Sequence, residues 1–216
     1  MEKAITWYNE LNLSKKLYLT FKRCFDIISS LLGLIVSLPI FLVISIAIKI
    51  EDKGPIFYKH KRIGKNGKFI YLYKFRSMVI NSQEILENFS KEQKEEFEKY
   101  FKLDNDPRIT KVGNIIRKTS LDELPQLLNI LKGEMSLIGP RPVIEKELVK
   151  FGDSKDIILS VKTGLTGCWA CNGRSDTTYE ERVELESYYV HNMSLKLDTI
   201  CFFKTIISVL KKKGVK

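Results

Sequence analysis

An uncharged apolar run dominates the hydrophobic pattern near the start of the chain. Residues 27–48 read IISSLLGLIVSLPIFLVISIAI and contain no charged side chain. A run of this length can span the hydrocarbon core of a bilayer as a helix. Lysines and arginines flank the run on both sides, and positive charge normally marks the cytoplasmic side of a membrane, so both flanks indicate the same side.

Pro39 lies near the middle of this run, two residues after Ser37, and a proline removes a backbone hydrogen bond and bends a helix. A helix that bends there and leaves by the leaflet it entered reconciles the proline with the two basic flanks. The pattern therefore favours a re-entrant membrane helix over residues 22–50, with a conventional single span as the alternative. Residues 1–21 mix aromatic residues with lysines, which predicts either an interfacial amphipathic helix or a frayed terminus.

Residues 51–216 show shorter periodic patterns, which predict one compact domain with small strands and amphipathic helices. Residues 56–58 and 69–73 have the aromatic and branched composition of strands on either side of a turn. Residues 82–104 are strongly charged with apolar positions at helical intervals, which predicts a solvated helix or a helical pair. The fold class is α+β and mostly helical.

Two helices are expected near the C-terminus, at residues 178–193 and 197–210. The second is apolar and aromatic and closes in three lysines, Lys211 to Lys213. A basic amphipathic helix is typical of a bilayer surface, and the alternative is a helix packed in the core.

The charge balance narrows the partners of the chain. Lys and Arg number 36 against 26 Asp and Glu, which gives a formal net charge of +10. An excess of this size indicates an anionic partner such as nucleic acid, an acidic membrane surface or phosphorylated substrates. A nucleic-acid-binding protein would leave the apolar run unexplained. The chain has 4 Cys and 2 His, too few for a disulfide framework and a poor set for a zinc site or a histidine-centred triad.

The candidate chemistry lies in the stretch Ser120–Gln126, which reads SLDELPQ. Ser120 and Glu123 have the spacing of a capping box, so a helix is expected to begin here and to end at Gly133. Carboxylates in a first turn are common caps, which is the structural alternative to a catalytic role. The helical spacing places three polar residues on one face, namely Asp122, Gln126 and Asn129.

Several motifs occur together, in a fixed order, from Lys22 to Gly214. They include the apolar run with Pro39, the stretch Tyr73–Met78 (YKFRSM), SLDELPQ, Gly139–Pro142 (GPRP), Thr163–Asp176 and Tyr179–Arg182 (YEER). In this combination the chain resembles the bacterial sugar transferases, the small monotopic polyprenyl-phosphate phosphoglycosyl transferases. The resemblance implies a re-entrant membrane helix and a cytoplasmic catalytic domain with amphipathic interfacial helices, in the minimal form of the family.

The resemblance also implies a reaction. A sugar-1-phosphate passes from a nucleotide sugar, usually a UDP-sugar, to undecaprenyl phosphate, with Mg²⁺ assisting and UMP released. It places the enzyme at the cytoplasmic face of the bacterial inner membrane, with membrane lipids as partners, no nucleic acid and a possible homo-oligomer. A scaffold of the same fold that has lost catalysis is the alternative, although the intact Asp122–Glu123 pair argues against it.

Carried over by motif, Asp122 is the nucleophile that forms a phospho-sugar intermediate. Glu123 helps to hold Mg²⁺ with Asp122, or manages a proton, and Arg141 binds phosphate oxygens. Further candidates for phosphate binding are Arg62, Lys74, Arg76, Arg117 and Arg174. The sequence departs from the family pattern at Ser37-Leu38-Pro39, His60, Lys162-Thr163-Gly164, Cys168 and Cys171.

Overall fold

The computed structural model describes residues 13–100, 103, 105–173 and 177–211. The α-helices of this part of the chain are α1 Leu13–Glu51, α2 Ser82–Glu87, α3 Lys91–Tyr100, α4 Lys111–Lys118, α5 Leu127–Lys132, α6 Lys155–Leu159, α7 Cys168–Cys171, α8 Tyr179–Asn192 and α9 Leu195–Leu210. The strands are β1 Phe57–Ile63, β2 Phe69–Phe75, β3 Ser136–Ile138 and β4 Gly164–Thr166. Three 3₁₀ segments cover Lys65–Gly67, Leu121–Gln126 and Glu145–Ser154. The mostly helical α+β class is confirmed.

Helix α1 is continuous from Leu13 to Glu51, so the break predicted at Ser37 and Pro39 does not interrupt the helix. Proline has a backbone φ that suits a helix, and long apolar helices tolerate it where neighbouring helices or Ser and Thr side chains satisfy the freed backbone groups. The Ser37 hydroxyl donates to the carbonyl of Gly33 at 2.6 Å within the same stretch. Residues 13–21 belong to this helix, while residues 1–12 of the predicted N-terminal segment lie outside the described residues.

One face of α1 is covered by the rest of the protein along most of its length. By length and composition, α1 is the one helix among the described residues that could cross a bilayer. Its buried positions recur at spacings of four, seven and eight residues, which place them on one stripe of a helix. They are Tyr18, Asp26, Ser30, Ser37, Ile44 and Ile48. The remaining faces expose a nearly continuous apolar surface, which includes Phe25, Leu32, Val36, Leu42 and Val43.

Three polar side chains of α1 bind backbone groups of other elements. Arg23 donates to the carbonyls of Ile130 and Leu131, at 2.6 and 2.8 Å, and so caps the C-terminus of α5. The Glu51 carboxylate accepts from the first two amides of α4, at 2.7 and 3.0 Å. Helix ends carry unpaired backbone groups, so these two contacts fix α4 and α5 against α1.

The third polar contact of α1 is made by Asp26, which is buried. Its Oδ1 accepts from the amide of Leu137 at 2.8 Å and from the hydroxyl of Ser136 at 3.0 Å. Because both partners belong to β3, this contact joins the small parallel β3–β4 sheet to α1.

The β1–β2 hairpin is antiparallel and longer than the strands predicted from the sequence, whose positions are confirmed. The outer edge of β2 is paired with the side chain of Asn129 in α5. This amide accepts from the backbone of Tyr73 at 3.0 Å and donates to the carbonyl of Tyr71 at 2.8 Å. The polar face predicted from helical spacing thus contacts β2.

The charged segment after β2 forms the predicted helical pair, α2 and α3. Its ends meet at the bridge between Met78 and Ile109, next to a hydrogen bond from the amide of Val79 to the carbonyl of Arg108 at 2.9 Å. The Arg108 guanidinium pairs with Asp106 at 2.6 Å. The two ends of the segment therefore lie side by side, so the chain enters and leaves the helical pair at neighbouring positions.

The C-terminal helices pack against the first part of α1. Asp198 of α9 accepts from the hydroxyls of Tyr18 and Tyr189, each at 2.8 Å, and pairs with Lys22 at 2.8 Å. Helix α9 combines the two predicted alternatives, a helix packed in the core and an amphipathic surface helix. Cys201 is buried, while other positions, such as Phe203, are exposed. The thiols of Cys168 and Cys201 lie 3.4 Å apart, within hydrogen-bond distance, and form no disulfide. Trp169 lies on the single turn α7.

We expect Asp26→Ala to destabilise the protein by about 1–3 kcal/mol, because it leaves the Leu137 amide and the Ser136 hydroxyl buried without their acceptor. The measurement is the thermal unfolding midpoint of the full chain in detergent. Ser29→Ala is the matched control, since Ser29 is half-buried three residues further along α1 and bonds only within that helix. Equal midpoints for the two variants would contradict the role given to Asp26.

Candidate active site

The two adjacent carboxylates lie on the 3₁₀ turn Leu121–Gln126, between α4 and α5. The predicted capping box at Ser120 is wrong. Ser120 has a left-handed backbone with φ of 58°, its side chain makes no capping hydrogen bond, and its amide bonds the carbonyl of Arg117. Ser120 therefore ends α4 and does not open the next helix. Asp122 is buried and Glu123 is half-buried on the turn that follows.

Lys74 projects from β2 toward this acid pair. Its Nζ lies 2.6 Å from Oε1 of Glu123 and 3.8 Å from Oδ2 of Asp122. Burial raises the pKa of the Asp122 carboxyl, and the negative charge of Glu123 raises it further. The positive charges of Lys74, Arg117 and Arg141 act in the opposite direction on the same pKa. Asp122 is thus a desolvated carboxylate held in a cationic surrounding.

Arg141 stands across the cleft from the acid pair. Close packing of Gly139 against Gly164 sets the backbone here, because a Cβ on Gly164 would overlap the Gly139 amide. The guanidinium lies 5.3 Å from the centre of the Trp169 ring, within range of a cation–π contact. The cleft between these elements is lined by Arg62, Leu72, Lys74, Glu123, Gln126, Arg141, Pro142, Gly164 and Leu165.

A buried network of charged side chains lies behind Arg141. Glu147 bridges Arg62 at 3.6 Å and Arg182 at 3.4 Å. Burial lowers the pKa of Arg62 to about 10, and the neighbouring charge of Arg141 contributes to the shift. Burial also lowers the pKa of His60 to about 4, again with help from nearby cations, so His60 is neutral at physiological pH. The excess positive charge suits a diphosphate, and guanidinium groups bind phosphate in two-pronged fashion.

Comparison with known proteins identifies the family of this chain. The profile of the family described as "Bacterial sugar transferase" matches residues 17–212. The chain belongs to the bacterial sugar transferase family. One relative is the undecaprenyl-phosphate galactose phosphotransferase of Salmonella typhimurium, which is 48% identical over 206 residues, or 94% of this chain and 43% of that protein.

Two further bacterial sugar transferases show how the match extends. The UDP-galactose-lipid carrier transferase of Erwinia amylovora is 48% identical over 206 residues, or 94% of this chain and 43% of that protein. The exopolysaccharide production protein ExoY of Sinorhizobium fredii is 45% identical over 196 residues, covering 89% of this chain and 87% of ExoY. The chain thus spans less than half the length of the first two relatives and most of the third.

Not all of the predicted phosphate-binding residues of this sugar transferase reach the cleft. Lys74, Arg62 and Arg141 do, as described above. Arg76 instead pairs with Asp52, just beyond the end of α1, at 2.6 Å, and is buried there. Arg117 is exposed on α4, although its charge still lowers the pKa of Asp122. Arg174 lies outside the described residues.

Other residues of the site had no role in the sequence interpretation. Trp169 contacts both Arg141 and Arg182, whose guanidinium lies 4.7 Å from the ring centre. Glu186 is fully buried on α8, and its Oε1 accepts from the backbone amide of Arg141 at 2.9 Å. The motif around Arg182 was visible in the sequence, but its contact with Glu147 joins residues 35 positions apart and no local pattern indicates it.

The acid pair also fits a magnesium ion. Mg²⁺ in transferase sites takes one or two carboxylates together with water and substrate phosphates, and Asp122 and Glu123 supply that set. The ammonium group of Lys74 already lies between the two acids, which shows that they are arranged to hold positive charge at this point. Among the described residues there is no group of three or more His, Cys, Asp or Glu that could hold a metal without substrate.

We expect Glu186→Gln to flatten the pH dependence of stability. Burial raises the pKa of Glu186 from 4.5 to about 7. Between these values the unfolded chain releases its proton while the folded state retains it, so stability falls as pH rises through this window, by up to about 3 kcal/mol. Glutamine does not titrate and removes this fall.

The measurement is the thermal midpoint of the full chain in detergent from pH 5 to pH 8. Glu184→Gln serves as the control because Glu184 is exposed on the same helix. If wild type and Glu186→Gln lose midpoint equally over this range, Glu186 does not titrate with the raised pKa.

Proposed function

We propose that this chain transfers a sugar-1-phosphate from a nucleotide sugar to undecaprenyl phosphate, giving undecaprenyl-diphosphate-sugar and UMP. The observation that carries the proposal is the acid pair of the buried Asp122 and the half-buried Glu123, held against Lys74 in a cleft lined by Arg62 and Arg141. The relatives named for a galactose phosphotransferase and a galactose-lipid carrier transferase support this class of reaction.

In the proposed first step, a carboxylate oxygen of Asp122 attacks the phosphorus that bears the sugar. A bond forms between that oxygen and phosphorus, and the bond to the bridging oxygen breaks, so UMP leaves with the electron pair. In the second step a phosphate oxygen of undecaprenyl phosphate attacks the same phosphorus and displaces Asp122. A carboxylate is a competent nucleophile here once the diphosphate charge is neutralised, which Lys74, Arg62 and Arg141 are placed to do.

Asp122 and Glu123 would hold Mg²⁺, which supplies further positive charge to the diphosphate when bound. Glu123 lies closer to Lys74 than Asp122 does, so Glu123 is the main partner of that ammonium group and an oxygen of Asp122 remains to react. The Trp169 ring restricts the Arg141 guanidinium on one side, and the Glu186 carboxylate fixes the Arg141 backbone.

We propose a monotopic arrangement in one leaflet, at the cytoplasmic face of the inner membrane, and the packing of α1 supports the placement on one side of the bilayer. A helix that crossed the bilayer upright would carry the elements packed along it, from Tyr18 to Ile48, into the hydrocarbon. A helix that stays at one side of the bilayer keeps those elements, and the cleft, at the membrane surface. The acceptor lipid is confined to the bilayer, so the reacting carboxylate has to meet its phosphate at that surface.

We expect Asp122→Asn to lower UMP release by at least about a thousandfold, because an amide cannot form the acyl-phosphate bond. The assay uses the full chain in detergent with undecaprenyl phosphate, Mg²⁺ and a panel of UDP-sugars in which UDP-galactose comes first. Asp153→Asn is the matched control, since Asp153 is exposed. If one donor supports UMP release and Asp122→Asn retains that release, Asp122 is not the nucleophile. No release with any donor from folded wild type would contradict the proposed reaction.

We expect Lys74→Met to move the acid limb of the pH–rate profile to higher pH. The Lys74 charge lowers the pKa of Asp122, so its removal raises that pKa and Asp122 becomes protonated, and inactive, at a higher pH. The measurement is kcat for UMP release from pH 5 to pH 8. Lys68→Met on the exposed hairpin turn is the control, and Glu186→Gln shows whether Glu186 contributes to the limb. If the acid limb of Lys74→Met stays in place, the Lys74 charge does not set the pKa of Asp122.

A further inference from the structure

The β1–β2 hairpin presents two chemically different faces. The inner face, with Arg62, Leu72 and Lys74, lines the cleft. The outer face places lysines of β1 beside aromatic residues of β2, and most of its positions are exposed, although Ile63 and Phe75 at its two ends are buried. Both strands are described in full, and this face carries no acidic residue from either of them. The exposed ones are Phe57, Lys59, Lys61, Phe69 and Tyr71.

The lysines of the outer face rest on its aromatic rings. The Lys61 ammonium lies 3.7 Å from the centre of the Phe69 ring, and the Lys59 ammonium lies 5.7 Å from that of Tyr73. Lys132 at the end of α5 joins them, since its Nζ lies 4.5 Å from the Tyr73 ring centre and donates to the Tyr73 hydroxyl at 2.6 Å. Flat apolar rings under ammonium groups are typical of residues at the boundary between hydrocarbon and water.

The outer face continues the apolar surface of α1. Phe41 of α1 packs against Phe57 and Phe75, with ring centres 6.4 and 4.8 Å apart. Leu128 is exposed one turn before Lys132 on α5, the helix whose C-terminus Arg23 of α1 caps. The exposed hydrophobic surface therefore passes from α1 to the hairpin through contacts between neighbouring side chains.

We propose that the outer face of the β1–β2 hairpin, together with Lys132, binds anionic phospholipid headgroups at the bilayer surface beside α1. The proposal rests on the membrane association in the proposed function, and it concerns bulk lipid, not the acceptor substrate. Each lysine close to an anionic leaflet contributes about fivefold in affinity, so the three lysines form a selective surface. A single strand of RNA could also use lysines and rings, but a bilayer around α1 occupies the side on which Phe57 meets Phe41.

The test titrates the full chain in detergent with phosphatidylglycerol or with phosphatidylcholine of the same acyl chains, and native mass spectrometry reads the bound lipid. We expect the wild type to prefer phosphatidylglycerol. The double variant Lys59→Gln/Lys61→Gln should lose about twentyfold in affinity for it. Lys91→Gln/Lys94→Gln removes the same charge from exposed positions of α3 and should leave the affinity unchanged, and Lys59→Arg/Lys61→Arg should retain it.

Three results would overturn the proposal. The first is that the wild type shows no preference for phosphatidylglycerol, or that the two glutamine variants lose affinity equally. An equal loss would show that only the net charge of the protein matters. The second is displacement of the lipid by inorganic phosphate at equal concentration, which would indicate a site for a free anion. The third is tighter binding of a uridine oligonucleotide through Lys59 and Lys61, which would indicate a nucleic-acid surface.

The result is separable from the proposed reaction. UMP release in detergent should be the same for wild type and Lys59→Gln/Lys61→Gln, because these side chains point away from the cleft. If the wild type released no UMP and still bound phosphatidylglycerol through these lysines, the reaction would fail and the lipid surface would stand. If UMP release were normal and the lipid preference absent, the lipid surface alone would be wrong.

Discussion

The contact of α1 with backbone ends of the folded domain is the constraint on which the rest of the structure depends. Arg23 caps the end of α5, Asp26 binds the start of β3, and Glu51 caps the start of α4. The acid pair lies on the turn between α4 and α5, so the two helices that define its position are both tied to α1. A hydrophobic helix that carries a few polar side chains on one stripe therefore fixes the position of the turn that bears the acid pair.

The sequence identified the elements with strong local signals. Alternating aromatic residues predicted the hairpin, helical spacing predicted α8 and α9, and the family motifs marked Asp122, Glu123 and Arg141. It misjudged Ser120, because the capping-box spacing does not reveal that the preceding helix ends on the same residue. It also placed Arg76 with the phosphate-binding residues. A buried arginine and a catalytic one look alike in a motif, and only the fold shows that Asp52 lies beside it.

Long-range contacts account for what the sequence left out. Glu147 and Arg182 meet across 35 positions, and Glu186 accepts from the Arg141 amide across 45. Glu147, Arg182 and Glu186 each lie on a helical segment, where a charged side chain would ordinarily be solvated, so propensity and periodicity assign them to the surface. Their burial follows from the assembly of α8 against the GPRP segment, which supplies backbone and guanidinium partners that no window of sequence contains.

The α2–α3 segment has a consequence for how the chain can vary. Its two ends are joined by the bridge between Met78 and Ile109, so the chain leaves and returns at nearly the same point. The length of what lies between does not alter the spacing of β2 and α4, and long surface insertions carry only a small entropic cost. The connection between α2 and α3, at the exposed Ser90, is therefore a natural place for a reporter domain or an affinity tag.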